Sequence, residues 1–485
     1  PFSFFFLIFV LGFGIYLITL RSSLKQTFIA GWFLGFGWFA FGLYWIGSAF
    51  MVADTYHKVL MPLAVVILPS VLAIFWGIAC VFAKLLTKKN QSSLFLIIVF
   101  LTLFEYLRAK LFTGFPWLMP SIILSSNDYL IQIFALVGSF TANLFVFSFS
   151  ILPFVLIFNF RSKYIIFGLL SIPIIILLFS SFVRLYNKDN KVSDKNLITL
   201  VQPNIEQKDK WNLEKRNANL NKLTQFSIQN VNEYIGVNRI IIWPETSFEG
   251  TIPNEMELLS VISKRILTDQ KAILVVGLLR VDKNKLFNSL VFLNSKGNII
   301  HHYDKIHLVP FGEYIPLRNK FTTIANFLSL KDFSSGNIKP NFTLKGFGNI
   351  LTLICYEILF TEEVISRLSK NTNLLINITN DAWFGKTIGP YQHLALAKIK
   401  AVELGIPLAR VANTGISALI SPYGEEITKI PLYESGVRTA KLTLPLKNTI
   451  YRTYGEIIFI VSILFLIFIN KMYDYKFSRD LKNEK

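Results

Sequence analysis

Apolar positions are distributed unevenly along the chain. Residues 1–183 form nearly continuous hydrophobic runs with short polar links, and residues 184–452 alternate short β-rich runs with amphipathic stretches of helical length. Residues 455–470 (GEIIFIVSILFLIFIN) are apolar again. A bilayer's hydrocarbon is crossed by about 20 apolar residues in a helix. Seven segments approach that length: 2–20, 27–50, 60–83, 93–112, 129–160, 164–183 and 455–470, the fifth long enough to include an interfacial piece. Strand and helix alternation in the polar part predicts an α/β layered sheet with its chemistry at strand ends. The pattern therefore predicts a helical membrane domain over 1–183, a layered water-soluble domain over 184–452 and a last transmembrane helix with a tail over 453–485.

Basic residues give these segments a direction. Arg21 and Lys25 follow the first, Lys84, Lys88 and Lys89 the third, Arg161 and Lys163 the fifth, and Lys471, Lys476, Arg479, Lys482 and Lys485 the last. The alternate links are poor in charge: 51–59 offers Lys58, and 113–128 has no Lys or Arg. The positive-inside rule makes the first set cytoplasmic and the large polar domain external. The sequence opens on Pro1 in a hydrophobic run, without methionine, so a preceding portion with one more helix is expected; no cleavable signal peptide is evident.

Within the polar domain, strands are expected at 196–205, 239–245, 271–279, 286–294, 349–354, 373–380 and 415–422, and helices at 212–236 and 254–269. Composition narrows the function classes. A 53% hydrophobic chain of 485 residues, with mean hydropathy +0.49, is too apolar for a soluble protein of its size. A net charge of +19 would suggest a nucleic-acid partner in a soluble protein, but no zinc knuckle, helix-turn-helix or aromatic-basic motif accompanies it. Flanking Lys and Arg residues and a domain held against anionic lipid account for the charge instead.

Two cysteines, Cys80 in a hydrophobic run and Cys355, make no disulfide framework. Cys355 stands where the apolar run Ile350 to Ile354 gives way to Tyr356 and Glu357, ahead of a helix start at Thr361, Glu362 and Glu363. A strand-to-helix turn projects a side chain from the sheet end and directs the following N–H groups to where an oxyanion would form. Glu245 in IIIWPETSF and Lys305 in HHYDKIHLVPFGEYIP also lie just past strand ends or between apolar runs. A thiol, a carboxylate and an amine suffice for acyl transfer through a thioester. The base takes the thiol proton, the fixed cation favours thiolate and oxyanion, and the carboxylate returns the proton to the leaving group. Singly, each residue has an ordinary explanation as a small core residue, a turn or a surface lysine. His301, His302 and His307 lack metal-ligand spacing, and there is no HExxH, phosphate loop or dinucleotide fingerprint, so neither metal nor cofactor is expected. In the membrane part, Glu105 and Arg108 are expected to be an interfacial snorkelling pair beside the aromatic-proline loop from Gly114 to Trp117.

Together these strings resemble the nitrilase, or carbon-nitrogen hydrolase, superfamily and, more closely, its membrane branch, the apolipoprotein N-acyltransferases. The resemblance is carried by TGFPW, VQPNIEQKDKW (201–211), IIWPE (241–245), KIHLVPFGEYIP (305–316), ICYE (354–357), NDAWFGKTIGPYQH (380–393) and the C-terminal helix. It implies an αββα sandwich with Glu245 as general base, Lys305 as oxyanion and thiolate stabiliser and Cys355 as nucleophile. Glu313 would orient the lysine, Tyr356 would supply the backbone N–H after the nucleophile, and Glu357 matches a further residue the family needs. Trp211 is expected to face substrate or gate a loop. Trp383, with Asn380, Asp381 and His393, belongs to the surrounding motif, as substrate contact or as loop architecture.

The implied reaction moves an acyl chain from a membrane phospholipid, phosphatidylethanolamine as donor, through a Cys355 thioester to the α-amine of an apolipoprotein's diacylglyceryl-cysteine. The implied setting is a monomer in the bacterial inner membrane, multi-pass, with the catalytic domain facing the periplasm. A membrane-anchored amidase passing the acyl group to water is the rival enzyme, and a transporter or scaffold with an inactive domain is the rival from another class. Two departures stand out: the family usually has eight transmembrane helices where seven are visible, and Ala109 replaces the glycine of the usual Glu-x-x-Arg-Gly motif. The apolar run between Phe311 and Phe333, with Phe321, Phe327 and Leu330, is expected to form a loop admitting acyl chains.

Overall fold

The structure is a computed structural model that describes residues 7–52, 56–87, 93–158, 163–229, 231–316, 318, 332–337 and 341–483. Phe321, Phe327 and Leu330, in the middle of the run expected to admit acyl chains, lie outside the described residues, as do Lys88, Lys89, Arg161 and Lys485.

Helices α1 (Ile8–Thr19), α2 (Leu24–Leu43), α3 (Gly47–Val52), α4 (Met61–Leu86), α5 (Leu94–Arg108), α6 (Ile133–Ile157) and α7 (Lys163–Tyr186) precede the first strand, and the helix Ile457–Asn483 closes the chain. Among the described residues, four stretches are long and apolar enough to cross a membrane: Leu24–Val52, Lys58–Leu86, Leu130–Ile157 and Lys163–Tyr186. The expected fourth segment is helical only to Arg108, because Phe112 and Thr113 (φ 56 and 73) and Gly114 (φ 81) turn the chain into a loop. The interfacial piece expected of the fifth is a 3-10 turn, Leu130–Gln132, and α6 is itself interrupted at Gly138 (φ 73).

Two sheets follow. The first has the order β13-β1-β2-β4-β5-β6, built from β1 (Val192–Gln202), β2 (Asn238–Ile242), β4 (Ala272–Asp282), β5 (Lys285–Leu293), β6 (Ile299–Asp304) and β13 (Gly436–Thr443), with β3 (Thr251–Ile252) on β4. The second has the order β12-β11-β10-β9-β8-β7, from β7 (Phe342–Leu344), β8 (Gly348–Ile354), β9 (Thr372–Thr379), β10 (Leu408–Ala412), β11 (Ser417–Ile420) and β12 (Glu426–Ile430). Parallel pairs β1–β2–β4 and β8–β9–β10 form the centre of each sheet, so their carboxyl ends come together at one edge of the sandwich.

Alternation along the strands builds the layers. Ile198, Leu200, Ile240, Ile242 and Val275 of the first sheet meet Ile354, Leu374, Ile376, Ile378 and Val411 of the second. The intervening residues Ile241, Trp243, Leu274 and Val276 pack outward on α8 (Leu213–Ile228) and α9 (Met256–Ile266). The outer face of the second sheet, through Leu351, Leu353, Leu375 and Ile420, packs on the helix Gly389–Leu404 and in one continuous core with the membrane helices. At about 0.8 kcal/mol per buried methylene, such faces are the main stabilising term of the sandwich. The helix expected over 212–236 ends at Ile228 and is followed by a 3-10 turn, Val231–Tyr234.

Candidate active site

Cys355 follows the last residue of β8 and opens the 3-10 turn Cys355–Leu359, with φ 54. A non-glycine residue at positive φ is held there by its surroundings, and here the hold comes from Glu357. Its Oε2 accepts the Ile354 N–H at 2.7 Å, closing the turn on itself. Its Oε1 accepts the Tyr303 hydroxyl (2.6 Å) and the N–H groups of Ile306 (2.8 Å) and His307 (3.2 Å). One buried carboxylate thus ties the Cys355 turn to the segment that carries Lys305.

Lys305 follows β6, is 1% exposed, and lies with its Nζ 2.8 Å from Glu313 Oε2 and 3.7 Å from Glu245 Oε1. Burial pushes its ammonium pKa down, but Glu313, then Glu245 and the Cys355 sulfur, more than reverse this and hold it raised, so it stays a cation. Glu313 is fixed by the Val309 N–H at 2.8 Å and by Asn288 Nδ2 at 3.0 Å. Asn288 Nδ2 also donates to Glu245 Oε1 at 2.7 Å, and the Asn380 N–H donates to Glu245 Oε2 at 2.8 Å. Glu245 itself comes so close to β4 that only glycine fits at 277. A Cβ there would collide with the Pro244 carbonyl and fall 2.8 Å from Glu245 Cα.

The dipeptide Thr379-Asn380 bridges the carboxylate and the thiol: while Asn380 holds Glu245, the Thr379 hydroxyl lies 3.2 Å from Cys355 Sγ. Burial raises the thiol pKa, Glu245 and Asp381 raise it further, and Lys305 and the Thr379 hydrogen bond oppose them. The resting group is the thiol. Asp381, fully buried, is gripped by Arg410 Nη2 at 2.6 Å and by His393 Nδ1 at 2.9 Å. Burial would raise its pKa, but Arg410 and His393 keep it well below the usual carboxylate range. Burial and the Arg410 charge lower the His393 pKa, so His393 is neutral with Nδ1–H on Asp381.

The remaining candidates divide. Tyr356 is buried, and its hydroxyl donates to the Gly114 carbonyl at 3.2 Å. Trp211 (49% exposed) and Trp383 (39% exposed) present their rings to the outside, the latter in the 3-10 turn Asp381–Phe384. Glu105 and Arg108 are not a snorkelling pair. They are 0% and 1% exposed, with Arg108 Nη2 on Glu105 Oε2 at 2.6 Å and Trp76 Nε1 on Glu105 Oε1 at 2.8 Å. Arg108 Nη1 also donates to the carbonyls of Phe115 and Trp117, the latter at 3.1 Å, so the pair clamps the loop that meets Tyr356. Ala109, at φ −74, continues the helical conformation, and left-handed backbone is needed instead at Gly114.

Sequence reasoning missed Lys210, Asn288, Thr379 and Arg410. Lys210 is 2% exposed, with Nζ 3.0 Å from the Glu245 carbonyl and 2.6 Å from Thr246 Oγ1. Burial lowers it to about 8, against the pull of Glu245, Glu249 and Cys355. A lysine flanked by charges in EQKDKW gives no sign of burial, whereas Thr379 and Arg410 could have been found as polar residues inside otherwise apolar strands. Among the described residues, no group of three or more His, Cys, Asp or Glu is placed to hold a metal ion.

Comparison with known proteins agrees with this architecture. The carbon-nitrogen hydrolase family model matches residues 197–450, and the model of the apolipoprotein N-acyltransferase N-terminal domain matches residues 1–152. Among solved structures, Nit3 of Saccharomyces cerevisiae, a member of branch 10 of the nitrilase superfamily, is 19% identical with a TM-score of 0.40, covering 52% of this chain and 91% of its own. An amidase from a Nesterenkonia species is 20% identical with a TM-score of 0.37, covering 52% and 92%. Curated relatives named apolipoprotein N-acyltransferase are 32% identical in Rhodopseudomonas palustris (93% of this chain, 87% of the relative) and 35% in Rhizobium etli (86% and 80%). The one from Rickettsia bellii is 32% identical over 96% of this chain and 93% of its own length. With one family model over its membrane helices, another over its sandwich, and relatives a third identical along most of their length, the chain belongs to the apolipoprotein N-acyltransferase family.

Proposed function

We propose that the chain performs a two-step acyl transfer at Cys355, with Glu245 as base and Lys305 as the fixed cation. In the first step Glu245 takes the thiol proton and the Cys355 sulfur attacks an acyl ester of a membrane phospholipid, the sn-1 chain of phosphatidylethanolamine. Because the thiol pKa is raised in part by the Glu245 charge, moving the proton to Glu245 removes that opposition while Lys305 remains. The carbonyl oxygen develops negative charge against Lys305 Nζ and the Tyr356 N–H. The tetrahedral intermediate collapses as Glu245 returns its proton to the lysophospholipid oxygen, leaving a thioester.

In the second step the α-amine of an apolipoprotein's diacylglyceryl-cysteine attacks the thioester. Glu245 takes a proton from the amine, the amide forms, and the C–S bond breaks to a thiolate that recovers the proton. Glu313 and Glu357 are assigned orienting roles, Glu313 on Lys305 and Glu357 on the Cys355 turn and the segment after Lys305. Trp211 and Trp383, exposed aromatics flanking the motifs that hold Glu245 and Asp381, provide apolar contact for the substrates. Both substrates are lipid-anchored, which suits a catalytic region joined to membrane helices at both ends. The basic links support a reading in which the chain lies in the bacterial inner membrane with the site on the periplasmic side, and a monomer is the assembly proposed.

The observation that carries this reading is that Cys355, on a turn at positive φ, feels the charges of Glu245 and Lys305, which lie 3.7 Å from each other, in a chain of this family. Intact mass spectrometry after incubation with phosphatidylethanolamine, beside Cys355→Ser, tests it. A hydroxylamine-sensitive acyl adduct that a diacylated lipopeptide discharges is the expected result. Discharge by water alone would make the chain a hydrolase of the amidase type, and no adduct in a lipid-embedded preparation would refute the mechanism.

A further inference from the structure

Thr379 is the last residue of β9 and is fully buried; its hydroxyl oxygen lies 3.2 Å from Cys355 Sγ and 2.8 Å from Asp381 Oδ1. A threonine hydroxyl has one hydrogen, and both neighbours accept it. The second acceptor is held in place from behind. Asp381 is pinned by Arg410 on Oδ2 and by His393 on Oδ1, and Arg410 Nη1 reaches Asn377 Oδ1 at 2.8 Å. Asn377 in turn donates to the Cys355 carbonyl at 3.3 Å, so the whole cluster is braced against the nucleophile's own backbone.

We propose that Thr379 is a further catalytic residue, whose single hydroxyl hydrogen moves between Cys355 Sγ and Asp381 Oδ1 as the sulfur changes state. This rests on the reading of Cys355 as nucleophile. When Glu245 removes the thiol proton, the electron pair left on Sγ accepts the Thr379 hydrogen, and Asp381 keeps its bonds to Arg410 and His393. When that pair forms the S–C bond of the thioester, Sγ becomes a poor acceptor and the hydroxyl turns back to Asp381. No buried donor is stranded in either state, which would otherwise weigh against one half of the cycle. The second step runs the same exchange in reverse as the C–S bond breaks. The charged groups facing the sulfur are Glu245, Lys305 and Asp381, with Lys210 further out, and Thr379 is the neutral donor among them.

The test follows the thiolate itself and needs no lipid substrate. The rate of Cys355 alkylation by iodoacetamide is measured against pH by peptide mass spectrometry, which also separates it from buried Cys80. Thr379→Val and Thr379→Ala should each move the midpoint up by about one pH unit, a tenfold fall in reactivity at fixed pH, as expected for loss of one hydrogen bond to a charged acceptor. Thr379→Ser should retain the wild-type profile. If Thr379 only supported packing, Thr379→Val and Thr379→Ala would lower the melting temperature and leave the midpoint unmoved, and that result overturns the proposal. If one of the pair fails to fold, the other decides. Failure of phospholipid to acylate Cys355 would refute the acyltransferase reading without touching this profile.

Discussion

Replacing Glu357 with glutamine keeps the shape of the side chain and removes its charge. In the native structure Oε1 takes three donors, from Tyr303, Ile306 and His307, and Oε2 takes the Ile354 N–H. An amide has one oxygen and one NH2. Turned so that the oxygen keeps the three donors, its NH2 faces the Ile354 N–H, and two donors confront each other in a buried site. A stranded buried donor costs about 1–3 kcal/mol, and changing three charge-assisted bonds to neutral ones costs about 1 kcal/mol each. The sum, about 4–6 kcal/mol, is comparable to a domain's whole stability of about 5–15 kcal/mol. The protein sheds it most readily by letting the segment after Lys305 part from the Cys355 turn. A displacement of about 1 Å between reacting groups costs on the order of 100-fold in rate.

Glu357→Gln is therefore expected to slow formation of the acyl-enzyme at least 100-fold, followed by intact mass in single turnover with phospholipid in excess. The pH profile should keep its shape, because the role proposed for Glu357 moves no proton. Glu357→Asp, which keeps the charge on a stem one methylene shorter, should fall between glutamine and wild type. A Glu357→Gln enzyme acylated within threefold of wild type would show that the two halves of the site are held together by something else.

Arg108→Met strands Glu105 in a buried, apolar setting, at about 3–5 kcal/mol, and frees the Phe115 and Trp117 carbonyls. We expect a lower melting temperature in detergent and slower Cys355 acylation, with Glu105→Gln/Arg108→Met nearer to wild type than Arg108→Met alone. Lys210 stands at about 8, chiefly through burial; it is charged below that pH and neutral above it, so wild-type acylation loses this cationic support as pH rises through 8. Lys210→Arg, charged throughout, should extend the plateau upward, and identical profiles would remove Lys210 from the reaction. Gly277→Ala forces a methyl group against Pro244 and Glu245, an overpacking of about 1–3 kcal/mol. It should slow acylation at least tenfold while Cys355 remains open to alkylation, and a normal rate would mean that the strand beneath Glu245 yields freely.

Sequence legibility followed the strength of each local signal. Of the seven expected spans, four coincide with described helices long and apolar enough to cross a membrane, because hydrocarbon demands an unbroken stretch, and the Cys355 turn was legible because an apolar strand met an acidic helix start. His301, His302 and Asp304 lay outside every expected strand and belong to β6, where His301 stacks on Phe342 at 4.3 Å and Asp304 pairs with Arg280 at 2.9 Å. Tertiary partners of that kind leave no trace in periodicity. Glu105 and Arg108 were misread for a related reason: a charge pair at i, i+3 near a helix end has the same sequence whether water or a buried carbonyl loop completes it. Lys210 and Asn288 were invisible because each satisfies a group, the Glu245 carbonyl or two carboxylates, that only the folded chain brings near.

The two sheets are not equivalent supports. Glu245 and Lys305 belong to the first sheet, whose outer face is covered by α8 and α9, helices of the same polar region. Cys355 belongs to the second, whose outer face is covered through the helix Gly389–Leu404 by the membrane helices themselves. Buried polar bonds reinforce that contact. Gln392 accepts from Trp45 and Trp117 at 2.9 and 2.8 Å and donates to the Gly42 carbonyl at 2.9 Å. Glu403 accepts from the Ser139 N–H at 2.8 Å, and Gln132 donates to the Tyr423 carbonyl at 2.9 Å. Cys355 is thus positioned by the membrane helices, and Glu245 and Lys305 are positioned against it through the inter-sheet core and Glu357. Cutting the sandwich free of its helices would expose the apolar face beneath Leu351, Leu353 and Leu375 and remove the Gly114 carbonyl from Tyr356. A change in the loop between Arg108 and Trp117 accordingly bears on Cys355 through its neighbour Tyr356, and on Glu245 only by way of the inter-sheet core and Glu357.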